Sequence, residues 1–106
     1  MNFNEYQKLA LRTASTSDNN SLILNGALGL AGESGEVIDH IKKVLFQGHE
    51  LDKEHLVEEL GDICWYLAIA SKGLGYDLET IFKMNVDKLI ERFPNGFEVD
   101  RSVNRK

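Results

Sequence analysis

The chain has 106 residues, a formal net charge of −5 and a single cysteine. This length predicts one domain spanning residues 1–106. The cysteine count excludes an intrachain disulfide framework and a cysteine-rich zinc site. An acidic chain without a basic block argues against nucleic-acid polymers as partners, because their binders neutralise phosphates. The longest apolar run, residues 63–70, is too short to span a membrane and no basic leader opens the chain, so a soluble cytoplasmic protein is expected.

One proline and the lack of an alternating strand pattern predict an all-helical fold. Helix 1 is expected at about 4–14 and is followed by a polar loop. Helix 2 is expected at about 22–46, helix 3 at about 53–72 after an Asp52 cap, and helix 4 from after Asp77 to Pro94. The polar tail from residue 95 onward is expected to be irregular.

Four glycines recur at every third position in helix 2: Gly26, Gly29, Gly32 and Gly35. Each costs about 1 kcal/mol relative to alanine inside a helix. Two interpretations stand: the glycines allow close packing against another backbone, or they leave room for a ligand beside the helix.

Two acidic pairs, Glu33 with Glu36 and Glu59 with Asp62, lie at i, i+3 spacing on helices 2 and 3. Each pair borders an apolar stripe on its helix. If the helices pack side by side, four carboxylates converge, and a hard cation such as Mg²⁺ or Mn²⁺ would offset their repulsion. The alternative is a pair of solvated acidic faces. The Glu-x-x-His pattern of di-iron bundles is not present. The stripes comprise Leu30, Val37, Ile41 and Val44 on helix 2, and Leu56, Leu60, Ile63 and Leu67 on helix 3.

Helix 4 places an amide, Asn85, within its apolar stripe, with Lys88 and Arg92 on the same side. A buried amide needs a hydrogen-bond partner. An amide with two cations facing an acidic metal cluster fits a polyphosphate group. The alternative is that Lys88 and Arg92 only complement the negative end of the helix.

The lone thiol, Cys64, is expected in the core because no cation or histidine is placed to activate it. Its neighbours Trp65 and Tyr66 have two open interpretations, as core residues or as surfaces that stack on a base.

These motifs together resemble the all-α nucleoside triphosphate pyrophosphohydrolases of the MazG type. The pattern Glu33-x-x-Glu36, a 22-residue gap and Glu59-x-x-Asp62 is similar to their metal-binding signature. Further similarity lies in the opening segment 4–7, in the closing segment 85–97, where a tyrosine is more usual than Phe93, and in Ser102, Asn104 and Arg105.

The resemblance implies a four-to-five-helix bundle assembled as a homodimer or homotetramer. It implies Mg²⁺-dependent hydrolysis of a (deoxy)nucleoside triphosphate to the monophosphate and pyrophosphate, in nucleotide house-cleaning, with Mn²⁺ able to substitute. Glu33, Glu36, Glu59 and Asp62 would hold the metal and carry catalysis, with Glu36 the first candidate for the base.

Within the same resemblance, Asn85, Lys88 and Arg92 would bind the phosphates. Two other functions stay open: phosphoribosyl-ATP pyrophosphohydrolase of histidine synthesis, and a non-enzymatic helical adaptor that binds nucleotides.

Overall fold

The computed structural model describes residues 1–105, and every regular element within them is a helix. The all-α prediction is therefore confirmed. The bounds are α1 Phe3–Leu11, α2 Asn19–Phe46, α3 Lys53–Gly73, α4 Leu78–Arg92 and α5 Val99–Val103.

The first four helices begin at the same kind of cap. In each, an Asn or Asp side chain accepts a hydrogen bond from the backbone N–H three residues on, at 2.8–3.0 Å. The caps are Asn2, Asp18, Asp52 and Asp77. The Asp18 cap starts α2 at Asn19, three residues before the predicted position, and α2 then continues unbroken through its glycines.

Helices α2 and α3 form an antiparallel hairpin, joined by the loop 47–52. Near neighbours occur along its whole length, so the two helices keep one register from the open end to the loop. These neighbouring pairs are Asn19 with Gly73, Gly26 with Ala70, and His40 with His55. The hairpin therefore brings the middle of α2 opposite the middle of α3, where the acidic residues lie.

A buried glutamine ties the remaining helices to the end of this hairpin. Gln7 on α1 donates to the backbone oxygens of Ala68 and Tyr76 and accepts from the N–H of Leu78. Ala10, Ala68 and Leu78 form a small apolar core beside it. The bonds to Tyr76 and Leu78 satisfy backbone groups at the α3–α4 connection, so Gln7 fixes where α4 begins.

The tail that was predicted to be irregular contains a short helix, and that prediction is wrong. The segment 94–96 reverses the chain, with Gly96 at φ +87°, a value that glycine adopts readily. Rings of Phe93 and Phe97 then approach to 5.4 Å. Arg101 on α5 donates from Nε to the backbone oxygen of Arg92 at 2.6 Å. These contacts hold α5 against the last turn of α4.

The single chain is less compact than its length predicts. Its Cα radius of gyration is 16.9 Å, whereas a compact chain of this length has about 13 Å. It exposes 7968 Å², whereas a monomer of this mass exposes about 6,000 Å². Part of the excess is an apolar stripe on α2 formed by Leu24, Leu28, Ile38 and Leu45. Within residues 1–105, no helix has the length and apolar character needed to cross a membrane.

Candidate active site

The glycines of α2 divide into two groups that act differently. A Cβ at Gly26 would lie 2.6 Å from the Cβ of Ala70, and one at Gly29 would lie 2.1 Å from the Tyr66 ring. At Gly32 and Gly35, a Cβ would meet nothing within 4 Å among residues 1–105. The first two glycines therefore allow close packing of α2 on α3, whereas Gly35 lies on the opposite side of α2, with the exposed Leu28 and Ile38.

Three of the four predicted acids meet at the hairpin. Glu33 on α2 and Glu59 and Asp62 on α3 each offer a carboxylate oxygen, and these oxygens all lie within 4.8 Å of one another. Glu59 is only 5% exposed. The sequence placed it at the edge of the apolar stripe, whereas the structure buries it between the helices.

The electrostatics of the cluster centre on Glu59. The neighbouring Glu33 carboxylate, burial and the Glu36 carboxylate together raise the pKa of Glu59 to about 8. Glu36 thus lies close enough to act on Glu59, although it is exposed and stands outside the group of three. His55, one turn earlier on α3, places Nε2 at 3.3 Å from a Glu59 oxygen. Without a cation, the cluster therefore favours a proton on Glu59 at neutral pH.

The donor set fits a hard divalent cation. One carboxylate oxygen of Glu33 and one of Glu59 are buried and have no hydrogen-bond partner within the described chain. Buried polar atoms normally have a partner, so two such oxygens in one cluster indicate that a proton or a cation belongs there. Oxygens bound to one Mg²⁺ lie at most about 4.2 Å apart, because each Mg–O bond is about 2.1 Å. The three oxygens lie within 4.8 Å of one another, so small side-chain movements would bring them within that limit.

The residues predicted to bind phosphate lie elsewhere on the chain. Asn85 was predicted to be buried in the apolar stripe of α4, but it is exposed in the single chain, as is Lys88, while Arg92 is half-buried. That prediction of burial is wrong because only the first two turns of α4 pack on α1 and α3, and its second half projects from them. Lys88 and Arg92 line a cavity of about 560 Å³ that includes none of the four acids.

Cys64 and its aromatic neighbours Trp65 and Tyr66 have different environments on α3. Cys64 is exposed, so its predicted place in the core is wrong for this chain. It lies in the wall of an apolar groove between α1, α3 and α4. Trp65 donates from Nε1 to the Ala10 carbonyl at 2.9 Å, and Tyr66 packs on Gly29. Both aromatic residues therefore hold helices together, as the core interpretation expected.

The sequence patterns assigned no role to two side chains beside these sites, His55 and Arg101. The spacing of His55 and Glu59, four residues apart on one helix, was available as a signal. Arg101 was missed because its role depends on the reversal at residues 94–96, which turns α5 back onto α4.

Comparisons with known proteins agree with this geometry. The model of the MazG nucleotide pyrophosphohydrolase domain matches residues 24–97, a span that contains all four acids together with Asn85, Lys88 and Arg92. The chain therefore belongs to the MazG nucleotide pyrophosphohydrolase domain family. Proteins of this family are hydrolases that act on nucleotides.

One relative is the Gene 37 protein of Mycobacterium phage L5. It is 34% identical over 82 residues, which cover 74% of this chain and 72% of the relative. No solved structure is detectably similar to the chain.

Proposed function

We propose that this chain hydrolyses a (deoxy)nucleoside triphosphate to the monophosphate and pyrophosphate in the cytoplasm, as part of nucleotide-pool house-cleaning. The observation that carries the proposal is the cluster of Glu33, Glu59 and Asp62 with its two buried, unpartnered carboxylate oxygens. The proposed ligands for Mg²⁺, or for Mn²⁺ in its place, are these three residues and Glu36. Such a cation would neutralise charge that develops on the phosphates and lower the pKa of water.

Residues of this chain are proposed to orient the metal, to activate water and to bind the phosphates. Glu33 and Glu59 are held by helix packing, so their buried oxygens are oriented before any ligand arrives. Glu36 is exposed beside them, so water and substrate can reach its carboxylate. Glu36 is therefore the candidate general base. Asn85, Lys88 and Arg92 are the proposed phosphate ligands.

We also propose that at least two copies of the chain assemble. The single chain exposes roughly 2,000 Å² more than a monomer of its mass, an excess in the range that one partner of an obligate dimer buries. The cations of α4 and the acids of the hairpin also line different parts of one chain. A homodimer or homotetramer in which α4 of one copy faces the hairpin of another would complete the site.

The direct test is a pyrophosphate-release screen with Mg²⁺ over canonical and damaged nucleoside triphosphates, with phosphoribosyl-ATP included. Release of pyrophosphate and a nucleoside monophosphate that stops with chelator and returns with Mg²⁺ is the expected result. Turnover of phosphoribosyl-ATP alone would assign the chain to histidine synthesis. Nucleotide binding without any turnover would show a non-enzymatic adaptor and contradict the proposal.

A further inference from the structure

The loop end of the α2–α3 hairpin holds two histidines beside the acid cluster. His40 on α2 and His55 on α3 approach with ring centroids 6.0 Å apart and an angle of 69° between their planes. Both line a cavity of about 310 Å³ together with Glu36, Asp39 and Lys43. The proposed function uses neither histidine, although His55 contacts an acid of the cluster.

The contact between His55 and Glu59 distinguishes the two carboxylate oxygens of Glu59. Nε2 of His55 lies 3.3 Å from Oε1, slightly beyond the usual length of an N–H···O hydrogen bond. Oε2 is buried and has no hydrogen-bond partner within the described residues. The last torsion of a glutamate side chain is broad, so holding one oxygen also restricts the direction of the other. His55 therefore restricts where the unpartnered oxygen of Glu59 points.

The imidazole of His55 is held by contacts at the start of α3. The backbone N–H of His55 donates to the Asp52 side chain at 3.0 Å, which fixes the first turn of the helix. The ring of His55 lies edge-on to that of His40. Nε2 of His40 in turn accepts a hydrogen bond from the Asp52 backbone N–H at 2.9 Å. His40 thus ties α2 to the turn of α3 that carries His55.

We propose that His55 is a positioning residue for the divalent cation, which holds Oε1 of Glu59 so that Oε2 is directed to the metal. This rests on the proposed function for the presence of the cation. The His55 side chain is 45% exposed and that of Glu59 is 7% exposed, so the imidazole contacts Glu59 at the edge of the buried cluster. A carboxylate that binds a metal through one oxygen still accepts a hydrogen bond at the other, and such contacts keep metal ligands oriented.

The experiment measures Mn²⁺ binding to the nucleotide-free chain by calorimetry at one fixed pH. His55→Ala removes the imidazole and should raise the dissociation constant for Mn²⁺ on the order of tenfold or more, as loss of such a contact does at other metal sites. His55→Gln keeps an N–H donor on a side chain of similar length. It should recover most of the loss, to within about threefold of the wild-type dissociation constant.

The matched control is His49→Ala. His49 is an exposed histidine of the loop 47–52 that lines neither the 310 Å³ cavity nor the acid cluster. Its loss should leave Mn²⁺ binding within about twofold of the wild-type value. The melting temperature of each metal-free variant should change by about 3 °C or less, the range expected from one exposed i, i+4 pair. A much larger fall in His55→Ala would assign His55 to the fold and count against the proposal.

The outcomes separate this proposal from the proposed hydrolysis. Unchanged or tighter Mn²⁺ binding in His55→Ala would overturn the positioning role and leave the hydrolysis standing. A loss in His55→Gln as large as in His55→Ala would also overturn it, because the N–H donor would then be irrelevant. The expected Mn²⁺ losses without nucleotide turnover would support the positioning role and contradict only the hydrolysis. A wild-type chain that binds no Mn²⁺ would contradict both.

Discussion

The α2–α3 hairpin holds acidic residues between two packed helices, whereas the α4–α5 segment holds cations around an open pocket. The hairpin buries Glu59 and, within residues 1–105, leaves two carboxylate oxygens unpartnered, and Gly26 and Gly29 let its two helices pack closely. In the α4–α5 segment the cations line an open pocket and are held by a turn and by one arginine on backbone carbonyls. The acidic half is thus preorganised within one chain, whereas the proposed function requires the cationic half to meet the acids of another copy.

The largest expected effect comes from removing one acid of the hairpin. Glu59→Gln should lower turnover on the order of 10²-fold or more, because the residue proposed to hold the metal is lost. The fold should survive, since the change also removes carboxylate repulsion in the metal-free protein. The measurement is kcat/KM with Mg²⁺, and Glu33→Gln, Glu36→Gln and Asp62→Asn should follow the same pattern.

Asp39→Asn is the matched control for this prediction. Asp39 is also an acid of α2, but its carboxylate pairs with Lys42 and Lys43 outside the cluster. Its loss should change turnover little. An active Glu59→Gln with an inactive Asp39→Asn would show that the functional acids lie elsewhere.

The next effect comes from the cations. Lys88→Ala and Arg92→Ala should each weaken triphosphate turnover by about 1–3 kcal/mol, the range for a hydrogen bond to a charged group. Thermal stability without nucleotide should change by well under 1 kcal/mol, because surface cations at a helix end contribute little. Melting curves and kinetics on both variants are required. Small stability losses with normal kinetics would restrict these cations to complementing the helix end.

The packing of the hairpin can be tested by a pair of glycine substitutions. Gly26→Ala should destabilise the fold by about 1–3 kcal/mol, because its Cβ would meet Ala70 at 2.6 Å and the Tyr66 carbonyl at 2.9 Å. Gly35→Ala is the control: among residues 1–105 its Cβ meets nothing within 4 Å, so it should stabilise α2 by about 0.5–1 kcal/mol. Denaturant unfolding measures both. Equal effects at the two positions would contradict the close packing of α2 on α3.

A further prediction is a dependence of metal-free stability on pH. The pKa of Glu59 is raised from 4.5 to about 8 in the fold, so the folded state holds a proton that the unfolded state has released. Stability should therefore fall as pH rises from about 4.5 to 8. The comparison is the slope of melting temperature against pH in the wild type and in Glu59→Gln. A slope of the same size in both would assign the pH dependence to other groups.

The sequence predicted most of the hairpin and less of the segment that follows it. Helix caps such as Asp52 and Asp77 are local signals, and the i, i+3 spacing places Glu59 and Asp62 on one side of α3 from local geometry alone. The exposure of Asn85 and Cys64 was not predictable in this way. Their exposure depends on the direction in which α4 leaves the hairpin. That direction follows from the contact between Gln7 and the first turn of α4, which joins residues far apart in the sequence.

Helix α5 was missed for a related reason. A five-residue polar helix has little propensity of its own, and α5 is held by Arg101 on α4 across a chain reversal. The close approach at Gly26 likewise depends on which face of α2 the partner helix covers, and the spacing of the glycines does not show that.

The most direct test of the central claim, that acids of one copy act with cations of another, is complementation between two inactive chains. One chain carries Glu59→Gln and the other carries Lys88→Ala with Arg92→Ala, and the two are co-expressed and purified together. In a mixed dimer one site collects all the defects and the other has none, so random pairing should restore about a quarter of wild-type turnover. Turnover no higher than that of the two variants measured separately would contradict the account.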